Sequence, residues 1–179
     1  MKIFDNIQKL DMAFLKKIQQ KICRKSLDPI MKTATYMGTA GMVWLAAGCA
    51  MMATKKHRKA GFVLCAALFI DVVGNNLVVK NVTGRPRPCD IDKSVELKIK
   101  RPVGSSMPSG HTLTSVTAAT ILLQENPLFG LAAVPTAALI SFSRMYLFVH
   151  YPSDVMAGTL LGIGVGCSAT QIKKMLPGK

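Results

Sequence analysis

Acidic side chains are scarce in this sequence: nine Asp and Glu stand against 23 Lys and Arg, for a formal net charge of +14. So few carboxylates, and no cluster among them, argue against the oxygen cages that hold Mg2+ or Ca2+. The cysteines do not supply another metal site. Cys23, Cys49, Cys65, Cys89 and Cys167 are scattered, odd in number and without CxxC spacing, which argues against both a zinc site and a disulfide framework. Three of them sit in apolar runs and read as small buried hydrophobes. Internal repeats and low-complexity tracts are absent. No signal-peptide core is expected either, because the first residues are too charged and no small-residue cleavage site follows.

What the chain has in abundance is apolar residues, half of its 179 positions. A soluble domain of this charge would suggest a nucleic-acid partner. Here the basic residues lie between long apolar runs and are split between two faces, so no nucleic-acid partner is expected. The runs are Pro29–Met52, Ala60–Val79, Ser109–Leu123, Leu128–Val149 and Val155–Ile172. Most reach or approach the roughly 20 residues that cross a bilayer. Ser109–Leu123, short and rich in Thr, is the weakest of them. The expected fold is therefore all-α, a polytopic membrane bundle of about five transmembrane helices. Ahead of it, Ile3, Ile7, Leu10, Phe14, Ile18 and Ile22 recur every three or four residues among lysines. This predicts an amphipathic helix in residues 1–28 lying in the headgroup layer, or packed on the rest of the protein, beside a membrane-embedded domain in residues 29–179.

Successive spans must alternate in direction, and this alone gathers polar residues. Lys80, Arg85 and Arg87 follow the second span, Ser109 and His111 open the third, Arg144 and His150 close the fourth, and Asp154 opens the fifth. All of these positions fall on one face. The basic run Lys55–Lys59 and the loop Gln124–Pro127 fall on the other.

Each cluster has a chemistry and a plainer reading. Gly84 and two prolines end the second helix, so Lys80, Arg85 and Arg87 are presented from a stiff turn. Guanidinium and ammonium groups suit phosphate oxygens, although a stop-transfer flank would look the same. Ser109 and Gly110 stand where a helix begins, and its first amides bind anions. His111 in that turn could protonate a leaving oxygen, or be an interfacial histidine beside an ordinary cap. Pro152 suits the first turn of the fifth helix, which puts His150 just before it and Asp154 within reach of one imidazole nitrogen. Arg144, inside an apolar span, is a functional suspect by cost alone.

Lys80-x6-Arg87-Pro88, Pro108-Ser109-Gly110-His111 and Ser143-Arg144-x5-His150-x3-Asp154 together resemble, in order, the three signature motifs of the type-2 phosphatidic acid phosphatase superfamily. The resemblance runs from about Pro29 to the end of the sequence. It implies a metal-independent membrane phosphatase with no cofactor. His150 would attack phosphorus to form a phosphohistidine, with Asp154 orienting it and His111 protonating the leaving group and then activating water. Lys80, Arg87, Ser109, Gly110 and Arg144 would hold the phosphate. The implied substrate is a membrane lipid phosphate or diphosphate, with undecaprenyl diphosphate the first choice and phosphatidylglycerophosphate or phosphatidic acid next. A lipid phosphotransferase using the same site, or a non-catalytic binder or transporter of anionic lipid, are the competing readings.

Asp71, Asn75 and Asn76 lie within the second span, where interhelical hydrogen bonding is the first expectation and a catalytic part the second; Asn75 and Asn76, one turn below Lys80, could support the site from behind. Gly158, Gly162 and Gly166 are expected to let the fifth span approach a neighbour closely, within a monomer rather than a dimer. Trp44, Phe142 and Phe148 read as packing or interfacial residues, and Tyr146 and Tyr151 flank the site. Two signals conflict over sidedness in the cell membrane. Residues 1–28 and 80–107, on the site face, carry fourteen Lys and Arg, which by the positive-inside rule would make that face cytoplasmic. The resembled family generally places its site outside. The compact Lys55–Lys59 run and the use of basic residues for phosphate and headgroups favour the extracytoplasmic side.

Overall fold

The computed structural model describes residues 2–75 and 80–176, with the side chains of 2–5, 80 and 81 excepted. Among these residues every regular element is helical: α1 (Lys2–Lys21), α2 (Asp28–Met37), α3 (Met42–Met52), α4 (Arg58–Gly74), the short α5 (Lys80–Thr83) and α6 (Pro88–Ile91), α7 (Gly110–Glu125), α8 (Pro127–Tyr146) and α9 (Pro152–Met175). The chain is a polytopic membrane bundle. α8 and α9 are each long and apolar enough to cross a bilayer on their own.

The first apolar run is not one helix. It breaks between α2 and α3 at a 3-10 turn, Thr39–Gly41, where Ala40 (φ 49°) and Gly41 (φ 68°) take left-handed backbone. Such backbone suits Gly41. In the sequence the break is masked because apolar residues continue on both sides of it.

Burial explains the odd composition of the third run. α7 packs against α4, α8 and α9, so Thr112, Thr114, Ser115 and Thr117 face protein rather than lipid and are buried. Their hydroxyls are used: Trp44 Nε1 donates to Ser115 Oγ at 2.9 Å, and Thr114 Oγ1 donates to the Gly110 carbonyl at 3.0 Å. The outer helices show the reverse pattern, with Leu128 and Leu131 on α8 and Met156 and Leu160 on α9 exposed. Small and hydroxyl residues inside with large aliphatics outside is how membrane bundles pack.

α9 approaches α7 along its glycine stripe. A Cβ on Gly162 would stand 2.8 Å from the Leu113 carbonyl oxygen, and one on Gly166 would stand 2.6 Å from Thr120 Cβ. Gly162→Ala is therefore expected to lower stability by about 1–3 kcal/mol through overpacking. Gly164, with open space around it, should tolerate alanine. Melting temperatures of the two variants in detergent check this. At the end of the bundle away from His150, Glu125 ties three helices, accepting from His57 Nδ1 at 2.7 Å and pairing with Lys173. Asn126 alone links α7 to α8, its side chain accepting from the Leu128 amide at 2.9 Å. Gln124 and Glu125, expected in the loop, are the last helical residues of α7.

Candidate functional site

The α8–α9 connection turns sharply. The amides of Val149 and His150 both donate to the Arg144 carbonyl, at 3.2 and 3.3 Å, and Phe148 carries the turn with φ 59°. A buried phenylalanine in left-handed backbone costs about 1–3 kcal/mol and persists only when its surroundings demand it. Here the result is that His150, only 2% exposed, is directed into the protein rather than into water.

The long polar segment after α4 folds back onto this connection. The Arg85 amide donates to Ser105 Oγ at 3.0 Å, the Ser106 amide donates to the Arg85 carbonyl at 2.8 Å, and the Ser109 amide donates to the Asp154 carbonyl at 3.1 Å. Three clusters thereby meet, Arg85 and Asp154 across 69 positions, as helix alternation required. Ser109 is the cap residue of α7 and is fully buried. The first bond inside the helix runs from the Leu113 amide to the Ser109 carbonyl at 2.9 Å, so the Gly110 amide has no acceptor within the helix.

His150 sits between a cation and a carboxylate. Arg87 Nη1 is 3.1 Å from its Nε2, and Asp154 Oδ2 is 3.5 Å from its Nδ1. A guanidinium can only donate, so Nε2 carries the lone pair and Nδ1 carries the proton that faces Asp154. The separation of 3.5 Å is longer than a hydrogen bond, so the expected Asp154–imidazole bond is an approach rather than a closed contact. Asp154 Oδ2 accepts instead from the Tyr151 amide at 2.9 Å. Burial, opposed by Asp154 and reinforced by the charges of Arg144 and Arg87, pushes the His150 imidazole down to about 4. The ring is therefore neutral at physiological pH, as a nitrogen nucleophile must be. If His150 is the nucleophile, the acid limb of kcat/KM should fall near pH 4 rather than near 6.5, because activity is lost only where the ring protonates.

The arginines divide their labour in a way their spacing does not reveal. Arg85, grouped above with the phosphate cations, is fully engaged. Its Nη1 donates to Asp154 Oδ1 and its Nη2 to Asp11 Oδ2, both at 2.7 Å, and its guanidinium stacks 4.1 Å from the Tyr151 ring centroid. Arg87 is held by carbonyls: Nε by Gly104 at 3.1 Å, Nη1 by Val149 at 3.0 Å and Nη2 by Ser105 at 3.1 Å. Arg144 donates from Nη1 to Thr35 Oγ1, and its buried Nε has no acceptor among the described residues. Among the described residues neither Arg87 nor Arg144 pairs with a carboxylate, although both are buried. His111 is the second residue of α7 and lines a cavity of about 220 Å³ together with Gly110, Asp71 and Asn75. The side chain of Lys80 lies outside the described residues, as does Asn76. No group of three or more His, Cys, Asp or Glu is arranged to hold a metal among the described residues.

Asp11 was not legible as a site residue. On a basic amphipathic helix an acid looks solvent-facing. It is buried instead, accepting from Arg85 and from the Ser153 amide at 3.1 Å. α1 thus packs under the α8–α9 connection, with Leu15 and Ile18 buried against Tyr146 to Val149. Asp11→Ala would leave Arg85 Nη2 and the Ser153 amide without their acceptor. It is expected to cost about 1–3 kcal/mol of stability, read as a lower melting temperature, and to lower turnover with it.

The model described as the PAP2 superfamily matches residues 56–177. The chain is 34% identical over 136 residues to an undecaprenyl-diphosphatase of Sulfolobus acidocaldarius, covering 75% of this chain and 66% of the relative. It is 36% identical over 124 residues to a decaprenylphosphoryl-5-phosphoribose phosphatase of Mycolicibacterium smegmatis, covering 67% and 63%. The chain thus spans just under two thirds of the length of these relatives. Among solved structures, a transmembrane PAP2-type phosphatidylglycerolphosphate phosphatase from Bacillus subtilis superposes with TM-score 0.78 at 22% identity, over 96% of this chain and 88% of that one. Aquifex aeolicus LpxE does so with TM-score 0.78 at 26% identity, over 90% and 95%.

Proposed function

The chain belongs to the PAP2 superfamily, and on that premise we propose that it is a membrane lipid phosphatase working through a phosphohistidine on His150. The observation that carries this reading is one neutral, buried imidazole beside two buried arginines, neither of which is in salt-bridge contact with a carboxylate among the described residues. Buried charge without a counterion is costly, and a phosphate dianion is the counterion that makes sense of it beside a nucleophile.

In the first step His150 Nε2 attacks phosphorus, the bond from phosphorus to the leaving oxygen breaks, and His111 gives that oxygen a proton. In the second, His111 takes a proton from water, the water oxygen attacks phosphorus, and the P–N bond breaks to release inorganic phosphate. Arg144, Arg87 and Lys80, with Ser109 and the Gly110 amide, neutralise the equatorial oxygens where charge accumulates. Asp154, fixed by Arg85 and by the Tyr151 amide, faces the Nδ1 proton and holds the ring in the attacking tautomer.

The substrate is the terminal phosphate of a lipid phosphate or diphosphate. Undecaprenyl diphosphate is the first lipid to test, with phosphatidylglycerophosphate and phosphatidic acid next, and the phosphoribose relative adds a sugar phosphate on a polyprenyl carrier. The protein works as a monomer in the cell membrane, with the site on the extracytoplasmic face and the outer residues Ile7, Leu10 and Phe14 of α1 in the headgroup layer. Phosphate release from this panel in detergent without added metal tests the reading; no release from any lipid would overturn it. A cysteine at Val103, 91% exposed on the site-face loop, introduced into a cysteine-free chain, should react with an impermeant thiol reagent in intact cells. Protection until lysis would reverse the sidedness.

A further inference from the structure

Asp71 and Asn75 have no part in the chemistry above. They stand one turn apart, Asp71 within α4 and Asn75 as its C-cap, each 4% exposed, and among the described residues one oxygen of each, Asp71 Oδ2 and Asn75 Oδ1, has no hydrogen-bond partner. An unpaired buried acceptor costs folding free energy and an ionisable group at membrane depth costs more. Two of them side by side mark a place that some donor completes.

Both line the same cavity of about 220 Å³ as His111. Its far wall is the break between α2 and α3, where Gly38 and Gly41 present little but backbone. A Cβ on Gly38 would stand 2.9 Å from His111 Cδ2, and one on Gly110 would stand 2.9 Å from Asn75 Nδ2. The glycines thus keep the space beside the His111 ring and the Asn75 carboxamide open. Since a water takes up about 30 Å³, the space admits a small polyol.

The direction of the reaction gives the cavity a role. In-line attack from His150 expels the leaving oxygen on the opposite side of phosphorus, where His111 meets it. The atoms beyond that oxygen therefore lie on the His111 side, beside Asp71 and Asn75. We propose that this cavity is the leaving-group subsite, and that Asp71 and Asn75 are specificity-determining residues that accept hydrogen bonds from the hydroxyls of a glycerol or sugar unit carrying the phosphate. The inference rests on the roles given to His150 and His111. It also reorders the substrate list. A hydroxyl donates to an unpaired oxygen, whereas an ionised second phosphate brings only acceptors and negative charge beside a carboxylate at low dielectric. Lipid phosphomonoesters with a free hydroxyl next to the phosphate rank above diphosphates.

The test compares phosphatidylglycerophosphate, which has such a hydroxyl, with phosphatidic acid, which has none, and with undecaprenyl diphosphate. Wild-type protein should prefer the first by about tenfold or more in kcat/KM, as expected when a missing hydroxyl leaves buried acceptors unpaired. Asp71→Leu and Asn75→Leu should each cut that preference to within a few-fold, by losing rate on phosphatidylglycerophosphate while keeping it on phosphatidic acid. Asp71→Asn, which retains an acceptor, should keep the preference. Retained activity on phosphatidic acid shows that a variant is folded. Equal losses on both lipids, an unchanged preference, or faster wild-type turnover of undecaprenyl diphosphate would overturn the proposal. If release from every lipid persisted in His150→Ala, the underlying mechanism would fall instead.

Discussion

Replacing His150 with alanine is expected to abolish lipid phosphatase turnover, with kcat falling on the order of 10^4-fold or more, as when a covalent nucleophile is removed. The fold should survive, because the connection is held by backbone bonds to Arg144 and by the Arg85–Asp154 pair rather than by the imidazole. Burial of the ring also means that exogenous bases cannot easily replace it. Turnover assayed beside a melting curve separates loss of chemistry from loss of structure. A folded variant with near-normal turnover would remove His150 from the mechanism.

Arg144 carries the second large effect, and its sign on stability is diagnostic. Arg144→Ala should lower kcat/KM by about 10^2- to 10^3-fold, the usual cost of removing one preorganised charge-stabilising donor. Arg144→Lys should recover only part of this, since an ammonium cannot reproduce the Nε and Nη geometry. Stability should move the other way or not at all. Among the described residues the guanidinium is buried without a carboxylate partner and with an unpaired Nε, so removing it relieves an uncompensated charge. A purely structural arginine would give the opposite pattern, with a lower melting temperature and catalysis lost only in proportion.

Helix alternation placed the polar clusters on one face from hydropathy alone, and the bonds from Ser109 to Asp154 and from Arg85 to Ser105 and Asp154 close that face as expected. The resemblance gave phosphate to Arg87 and no role to Arg85, but residue spacing could not show that Arg85 clamps Asp154 and Asp11. Both arginines belong to one Arg-Pro-Arg-Pro run, and which guanidinium meets His150 depends on where residues 99–109 fold back. Asp11 was hidden for a related reason. Its partners lie 74 and 142 positions away, and periodicity reports only which side of its own helix a residue occupies. The Thr-rich third run looked weak as a span because hydropathy measures exposure to lipid. α7 is surrounded by helices, so its hydroxyls find partners there. The break at Ala40 and Gly41 leaves no mark in the sequence because a run of apolar residues does not reveal a kink, yet that break forms one wall of the cavity beside His111.

The most direct measurement is to quench the protein with acid-sparing denaturant during turnover of a terminally 32P-labelled lipid and to map any protein-bound label by mass spectrometry. A base-stable, acid-labile phosphate on His150, absent from His150→Ala, is the predicted result. Turnover proceeding at full rate with no label on the protein, or with label on another residue that persists in His150→Ala, would contradict it.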